Sequence, residues 1–288
     1  MKKLILLLAA TLSLPIFAQE DTEVSAEEEN SVVDGIVAKQ HIKNKRHMEA
    51  AYVREANVLW SKTIWRIIDL HEKQNLYLYY PTVDVDGRRS LVKVLFDGIK
   101  SGELTAYRAG LSNEFDEKMN AREVFEKFNI VGEMESVVPN PETGENDTLY
   151  RYDYTADAFL EVYQFLVKEV WFFDRKYSRM NCKIIGLCPI TEKVEEGRLR
   201  KAQSFWIYYP QAAQMLSEQE AFTFKNDAQR QSLYDMLEQR RFGSYIFKES
   251  NVYNDRVITN YTQGMSSNIE WENIQNAIFE KEHDMWEF

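Results

Sequence analysis

The residues of this chain that are best suited to catalysis or metal binding are its four histidines, two cysteines and 46 acidic residues. The histidines are dispersed, and the closest pair, His41 and His47, is spaced so that the two would lie on different faces of a helix. The sequence contains neither a Gly-x-Ser-x-Gly nucleophile turn nor a glycine-rich phosphate-binding loop. We therefore predict no catalytic residue, no metal site and no cofactor.

Acidic residues are the remaining source of chemistry, because two carboxylates suffice for glycoside hydrolysis. Asp84 and Asp86, followed by Gly87, also resemble the start of a calcium-binding loop, but the later ligands, notably the terminal glutamate, are missing. Asp and Glu side chains are mostly solvent-exposed in folded proteins. A carboxylate-dependent glycoside hydrolase is therefore the less favoured interpretation.

The two cysteines, Cys182 and Cys188, are separated by five residues that include Gly186. In an oxidising compartment they can close a small disulfide loop, provided that a hairpin turns at Ile184 to Gly186. The alternative is two buried free thiols. The sequence slightly favours the bridge.

The N-terminal residues 1–18 have the pattern of a secretory signal peptide. Lys2 and Lys3 precede an apolar run, and Ala18 is the expected residue before cleavage. We therefore predict an exported, soluble protein. The net charge of the chain is −11, and six acidic residues fall within residues 20–29. Nucleic acid is excluded as an expected partner, because neutralising phosphates requires clustered Lys and Arg.

A repeated sequence motif is the main indication of how the chain is organised. An aromatic stretch ends in Tyr-Tyr-Pro twice, at Leu76 to Pro81 and at Phe205 to Pro210. Upstream, the tetrad Lys62 to Trp65 corresponds to the tetrad Lys168 to Trp171. Such self-similarity is typical of a reused supersecondary unit. We therefore predict an α+β protein of two related lobes, each a small antiparallel sheet with packed helices.

The chain then divides into six predicted segments. Strands are expected at Val58 to Leu70, Leu76 to Tyr80 and Phe205 to Tyr209, and helices are expected at Ser90 to Lys100, ended by Gly102, and at Phe159 to Val167. Two prolines, a glycine and several acids indicate an irregular linker between the lobes. The segments are a signal peptide (1–18), an acidic leader and helical arm (19–57), the first lobe (58–132), the linker (133–150), the second lobe (151–255) and a C-terminal helical tail (256–288).

The tail and the repeated aromatic motif supply the candidate interface residues. Ser267 and Glu270 have the spacing of a capping box, which predicts the start of the tail helix. Its apolar stripe is expected either to dock onto the chain's own body, which is favoured, or to insert into another subunit. The candidate interface residues are Tyr79, Tyr80, Tyr208, Tyr209, Trp271, Ile274, Ile278 and Trp286.

The ordered motifs of both halves resemble the gliding motility protein family GldN, called PorN in non-gliding relatives. The first half carries the resemblance at Trp65 to Pro81 and at Gly98 to Tyr107. The second half carries it at Lys168 to Asp174, Phe205 to Pro210 and Lys248 to Tyr253. The similarity covers nearly everything after about residue 50.

That resemblance implies a structural, non-enzymatic component of the type IX protein secretion system of Bacteroidetes. It implies a periplasmic location, a ring built from copies of the chain with the outer-membrane lipoprotein GldK or PorK, and contact with the periplasmic part of the motor protein GldM or PorM. A periplasmic module that binds glycan or peptidoglycan is the alternative from another class, because aromatic residues and acids also suit sugar binding.

Overall fold

The computed structural model describes residues 45–85, 87–110, 114–128, 130, 132–139, 146–152, 161–195, 198–223 and 230–286. The predicted signal peptide, the acidic leader and residues 31–44 of the predicted arm lie outside these ranges. Within them, we find no helix with the length and apolar character that a membrane span requires.

The described part of the chain contains twelve strands and six α-helices. The strands are β1 (Val58–Asp69), β2 (Ala106–Arg108), β3 (Lys118–Met119), β4 (Gly132–Pro139), β5 (Asn146–Tyr152), β6 (Val162–Asp174), β7 (Arg179–Glu195), β8 (Arg198–Gln203), β9 (Phe205–Tyr208), β10 (Glu220–Ala221), β11 (Gln231–Ser232) and β12 (Tyr245–Glu249). The helices are α1 (Leu76–Tyr79), α2 (Leu91–Ser101), α3 (Ala121–Lys127), α4 (Tyr209–Ser217), α5 (Leu233–Glu238) and α6 (Met265–Trp286). The predicted α+β class is confirmed.

One antiparallel sheet of eight strands organises the molecule. Its order is β12-β1-β6-β7-β9-β2-β3, and β8 pairs with β7 beside this path. Strands β1 to β3 come from the predicted first lobe, whereas β6 to β9 and β12 come from the second. The expectation of a separate small sheet in each lobe is therefore wrong.

The pairing of β1 with β6 explains why the two halves share a sheet. Lys62 lies opposite Trp171 and Trp65 lies opposite Lys168, so the two repeated tetrads pair with each other. Both strands bury residues on both faces, as a central strand requires. The two strands that resemble each other in sequence are thus hydrogen-bonded neighbours in the sheet.

The two faces of the sheet pack against different sets of side chains. On the first, which we call the helix face, Val167, Leu187 and Ile207 join a large core with residues of α2, α4 and α5. On the second, which we call the aromatic face, Trp65 and Trp206 form a smaller cluster. Its other members are Ile67, Leu166, Cys188 and Ile190, with Tyr107, Ala109, Phe115, Tyr245 and Phe247 packed against it.

The first Tyr-Tyr-Pro segment is helical, so the strand predicted at Leu76 to Tyr80 is wrong. The buried side chain of Asn75 donates to the carbonyls of Asp69 and Gly243, at 2.7 and 2.9 Å, and accepts from the Gly243 amide at 2.8 Å. These bonds hold the chain in a turn directly after β1. The short helix α1 that follows buries Tyr77 and Leu78 in the large core.

Two further predictions fail for reasons of tertiary context. The helix predicted at Phe159 to Val167 is wrong, because residues from Val162 onward form β6, and its apolar run is buried on both faces of the sheet. The segment predicted as a linker instead contains β4 and β5, which pair as a separate two-stranded sheet. Both strands contain β-branched residues, which favour extended structure and offset the prolines and acids between them.

Helix α2 confirms the pattern predicted for Ser90 to Lys100. Ser90 caps its start, since its side chain accepts a hydrogen bond from the amide of Lys93. Gly102 ends the helix with φ +79°, the left-handed conformation that glycine tolerates best. The helix thereby presents one apolar face to the sheet.

Residues 45–51 form a strap without helix or strand across α4 and α5, and the part of the predicted arm helix at Ala50 to Val53 is not helical. The strap is held by its carbonyl groups and by the side chains of Lys45 and His47. Ser217 and Gln214 donate to the carbonyl of Lys45, and Tyr234 donates to that of Met48. Lys183 donates to the carbonyl of Ala51. These contacts replace intrahelical bonds and hold the segment in place.

Candidate interaction surfaces and charge clusters

A buried ion cluster surrounds Trp171 on the helix face. We call Arg66, Glu169, Trp171, Cys182 and Arg240 the arginine cluster. Glu169 is fully buried. Its carboxylate lies 3.2 Å from Arg66 Nε and 2.8 Å from Arg240 Nη1, and it accepts from Trp171 Nε1 at 3.1 Å. Both guanidinium groups also stand over the Trp171 ring, at 6.0 and 5.1 Å.

The electrostatics of the arginine cluster follow from its burial. Burial lowers the pKa of Arg66, although the nearby Glu169 carboxylate opposes that shift. For Arg240, burial also acts downward, but the attraction of Glu169 and Cys182 outweighs it and leaves the pKa raised. Burial and the Glu169 charge raise the pKa of the Cys182 thiol. The cluster is therefore a closed set of permanent charges around an unreactive thiol.

A second cluster surrounds Trp65 on the aromatic face. We call Trp65, Glu114, Lys168 and Lys248 the lysine cluster. Glu114 accepts from Trp65 Nε1 at 2.8 Å and pairs with Lys168 Nζ at 2.7 Å. The ammonium groups of Lys168 and Lys248 lie 5.2 and 4.0 Å from the Trp65 ring centroid. Here one carboxylate faces two ammonium groups at a half-buried surface.

Burial of Lys248, with a smaller repulsion from Lys168, lowers the pKa of its ammonium group, although Glu114 and Asp255 act in the opposite direction. Among the described residues, the ammonium group of Lys248 contacts the Trp65 ring but has neither a hydrogen bond nor an ion pair. The lysine cluster is thus left with an unneutralised cation.

The first Tyr-Tyr-Pro segment borders an apolar cavity of about 350 Å³. Tyr79 is half-buried and contacts His71, whereas Tyr80 is 51% exposed. Phe222 is exposed on the wall of the cavity, with Arg88 over its ring. The cavity is lined by Leu76, Tyr77, Tyr80, Pro81, Val85, Arg88 and Phe222.

The second Tyr-Tyr-Pro segment separates its two tyrosines. Tyr208 ends β9, is 43% exposed and contacts Phe115 edge to face. Tyr209 begins α4, is buried in the large core and stacks on Tyr234. Burial raises the pKa of Tyr209, and the neighbouring carboxylate of Glu238 adds to that shift. Of this pair, Tyr208 is available to a partner, whereas Tyr209 holds α4 to α5.

The C-terminal helix α6 docks onto the chain's own sheet. Ile274 and Ile278 are buried with Ile64, Ile246 and Ile258, and Trp271 packs beside them. The favoured alternative, docking onto the own body, therefore describes this structure. Trp286 is the last residue of the helix, and its side chain lies outside the described part. The predicted capping box is wrong, because the helix begins at Met265 and Ser267 lies inside it.

The disulfide predicted between Cys182 and Cys188 is wrong, since both are free thiols. Both lie on the single strand β7, because the hairpin turns at residues 175–178 and not at Ile184 to Gly186. Six residues of strand span roughly 20 Å, far beyond disulfide reach. Cys182 lies in the arginine cluster, whereas Cys188 is buried in the core of the aromatic face, where burial raises its pKa to about 12.

The residues considered for metal binding or catalysis are placed apart. Asp84 pairs with Lys93 at 2.7 Å, while Asp86 lies outside the described residues. His47 contacts Gln214 and His71 stacks on Tyr163, whereas His41 is again outside the described part. Across the described residues, no group of three or more His, Cys, Asp or Glu side chains could hold a metal ion.

Comparison with known proteins gives one family and no curated relative. The family model described as gliding motility associated protein GldN matches residues 53–287. No curated protein matches the chain. The matched range contains both tryptophan clusters, the cavity and the C-terminal helix.

Proposed function

The chain belongs to the GldN family of gliding motility-associated proteins, and from that premise we propose that it is a non-enzymatic structural subunit of the type IX secretion and gliding machinery. In this proposal the subunit lies in the periplasm and builds a ring with a GldK- or PorK-type outer-membrane lipoprotein. The periplasmic domain of a GldM- or PorM-type motor protein contacts that ring.

The family match over residues 53–287 is the observation that carries the proposal. The charge clusters support a structural role. Glu169 is neutralised by two arginines, and Glu114 is engaged by Trp65 and Lys168. A general acid or base must instead keep a proton position free for its substrate. These two carboxylates therefore build the fold.

The cavity beside Tyr80 supports a protein partner. Its wall consists of aliphatic and aromatic groups, with Arg88 at the margin. Buried aromatic residues and arginine are the residue types that dominate protein interfaces. A sugar would need several polar groups to satisfy its hydroxyls. The cavity therefore favours an apolar side chain of a neighbouring subunit over the glycan-binding alternative.

Assembly size tests the proposal. Residues 19–288 are co-expressed with a GldK-type lipoprotein, and the mass of the co-purified particle is measured by light scattering. We expect a very large particle of many copies of both proteins. A lipoprotein that does not co-purify, or a pair that stays at one copy each, would contradict the proposal.

Matched variants then locate the contact. Tyr80→Ser and Phe222→Ser are expected to reduce the yield of the large particle, because both side chains border the apolar cavity. Tyr52→Ser is the control, since Tyr52 is 89% exposed on a different segment. Far-UV circular dichroism of each variant alone confirms that the fold persists. Equal yields for all three variants would remove the cavity from the interface.

A further inference from the structure

The lysine cluster lies within a longer row of side chains that crosses the aromatic face. Lys248 is in register with Trp65, Trp65 with Lys168, Lys168 with Gly186 and Gly186 with Tyr208. Residues paired in this way share one face of a sheet. The row therefore spans five neighbouring strands, β12, β1, β6, β7 and β9. At about 4.8 Å between strands, it is about 19 Å long.

Phe115 fills the gap in the middle of this row. A Cβ atom at Gly186 would lie 2.6 Å from Phe115 Cζ, so only glycine leaves room for the ring there. Phe115 contacts Tyr208 on one side, and Lys168 Nζ lies 5.8 Å from its ring on the other. The result is a surface on which Lys248 and Lys168 flank the buried ring of Trp65, with the rings of Phe115 and Tyr208 beyond them.

The charge of this row is unbalanced. Glu114 neutralises Lys168, and Lys248 has no anion at ion-pair distance among the described residues. An ammonium group that is partly withdrawn from water gains a strong charge-assisted hydrogen bond when a carboxylate reaches it. The Lys248 ammonium group and the neighbouring rings of Phe115 and Tyr208 therefore suit an extended acidic peptide, one carboxylate of which meets Lys248 while other atoms lie on the rings.

We infer that this row binds the acidic leader of an adjacent copy of the chain, at residues 20–29. The leader supplies the complementary charge, since six of those ten residues are Asp or Glu. This inference rests on the proposed function, because a ring requires one surface of a copy to meet a different surface of the next copy.

Isotope-coded cross-linking tests this inference in the assembled particle. Residues 19–288 are prepared unlabelled and fully ¹⁵N-labelled, mixed during assembly with the lipoprotein, and treated with a carbodiimide, which joins an ammonium group to a contacting carboxylate. Mass spectrometry is expected to find Lys248 or Lys168 joined to residues 20–29, with one peptide light and the other heavy. Cross-links found only as wholly light or wholly heavy pairs, with no mixed pair, or the lack of such cross-links, would overturn the inference.

Peptide binding gives a second test that does not depend on the particle. A fluorescein-labelled peptide of residues 19–30 is titrated with the 19–288 chain, and its anisotropy is followed. Lys248→Ala is expected to weaken binding about tenfold, as loss of one charge-assisted contact predicts. Lys248→Arg should keep the affinity and lose the cross-link at that position. Lys176→Ala, which removes a lysine over the ring of Tyr177, is the matched control and should bind normally.

The results of these two experiments distinguish a failure of the inference from a failure of the proposed function. A large particle that forms without the mixed cross-link overturns the inference and leaves the ring intact. Peptide affinity that is unchanged in Lys248→Ala also overturns the inference. Tight, Lys248-dependent peptide binding without any particle supports the site and contradicts the ring.

Discussion

The two tryptophans of the repeated tetrads, Trp65 and Trp171, occupy matching chemical settings on opposite faces of one sheet. Each indole donates to one carboxylate, and each ring lies beneath two cations. Around Trp171 the cations are arginines that both reach a fully buried Glu169. Around Trp65 they are lysines, of which one reaches Glu114.

The difference shows that one arrangement, a tryptophan with a carboxylate and two cations, can have two different roles. Arginine is permanently charged and gives up its hydration more readily than lysine, so it suits a closed, buried cluster. A lysine with no anion at a half-buried surface stays able to receive one. We therefore interpret the arginine cluster as part of the framework and the lysine cluster as a site of contact.

The largest expected effect comes from removing each carboxylate. Glu169→Gln leaves the buried Arg66 and the half-buried Arg240 without their counter-ion, so we expect the free energy of unfolding to fall by about 3–5 kcal/mol. Glu114→Gln leaves lysines that can reach water, and about 1–2 kcal/mol is expected. Urea unfolding of both variants measures the difference. Equal losses would break the distinction between the clusters.

Removing one cation from each cluster gives the next largest contrast. Arg240→Ala is expected to cost about 2–3 kcal/mol, because Glu169 keeps only Arg66. Lys248→Ala should change stability by no more than about 0.5 kcal/mol, since it removes a charge that has no anion at ion-pair distance among the described residues. Thermal denaturation at low salt compares the two. A large loss for Lys248→Ala would show that the lysine cluster is also structural.

Changing each indole to a phenyl ring sharpens the comparison. Trp171→Phe removes a donor from a carboxylate that water does not reach, and about 2 kcal/mol is expected. Trp65→Phe leaves Glu114 paired with Lys168, and about 1 kcal/mol is expected. Chemical denaturation resolves the two values. The reverse order would contradict the burial argument.

The smallest effect is a change in thiol reactivity. Burial raises the pKa of both cysteines, so alkylation by iodoacetamide at pH 8 should be slow in the folded protein and fast in urea. In Glu169→Gln the negative charge that helps to raise the pKa of Cys182 is gone and two arginines stay. Thiolate content below the pKa rises about tenfold for each unit by which the pKa falls. Cys182 should therefore react faster in this variant.

Cys188 is the internal control for that experiment. It lies in the core of the aromatic face, away from the arginine cluster. Its alkylation rate in folded Glu169→Gln should match that of the unchanged protein. Faster reaction at both cysteines would instead indicate general loosening of the fold.

Local patterns predicted the elements that depend on local physics. Strand β1 follows from its run of β-branched and aromatic residues. Helix α2 follows from its apolar face, the cap at Ser90 and the glycine at Gly102. The segment after β1 was mispredicted because Asn75 fixes it through contacts with Gly243, which lies 168 residues away.

The candidate sites likewise divide into features that local sequence predicts and features that depend on distant contacts. The repeated tetrads were visible in the sequence, but their pairing in one sheet was not, because register is set by tertiary packing. Glu114, Arg240 and Lys248 were missed entirely. They reach the tryptophans from distant segments, and no spacing pattern marks a lone charged residue that folding will place beside an aromatic ring. Of the tyrosines predicted to lie at an interface, Tyr80 and Tyr208 are exposed and Tyr209 is buried, and an interface role for the first two stays a prediction.

The strap at residues 45–51 has a consequence for how this region can vary. Side chains of α4, α5 and β7 donate hydrogen bonds to its carbonyl oxygens, which every amino acid carries. The Met48 side chain is 80% exposed. Substitution of Met48 should leave the attachment unchanged, whereas substitution of Lys45 or His47 would remove a side-chain contact with Asp235 or Gln214. The exposed side of this segment can thus vary in sequence while its carbonyl contacts with the body of the protein stay the same.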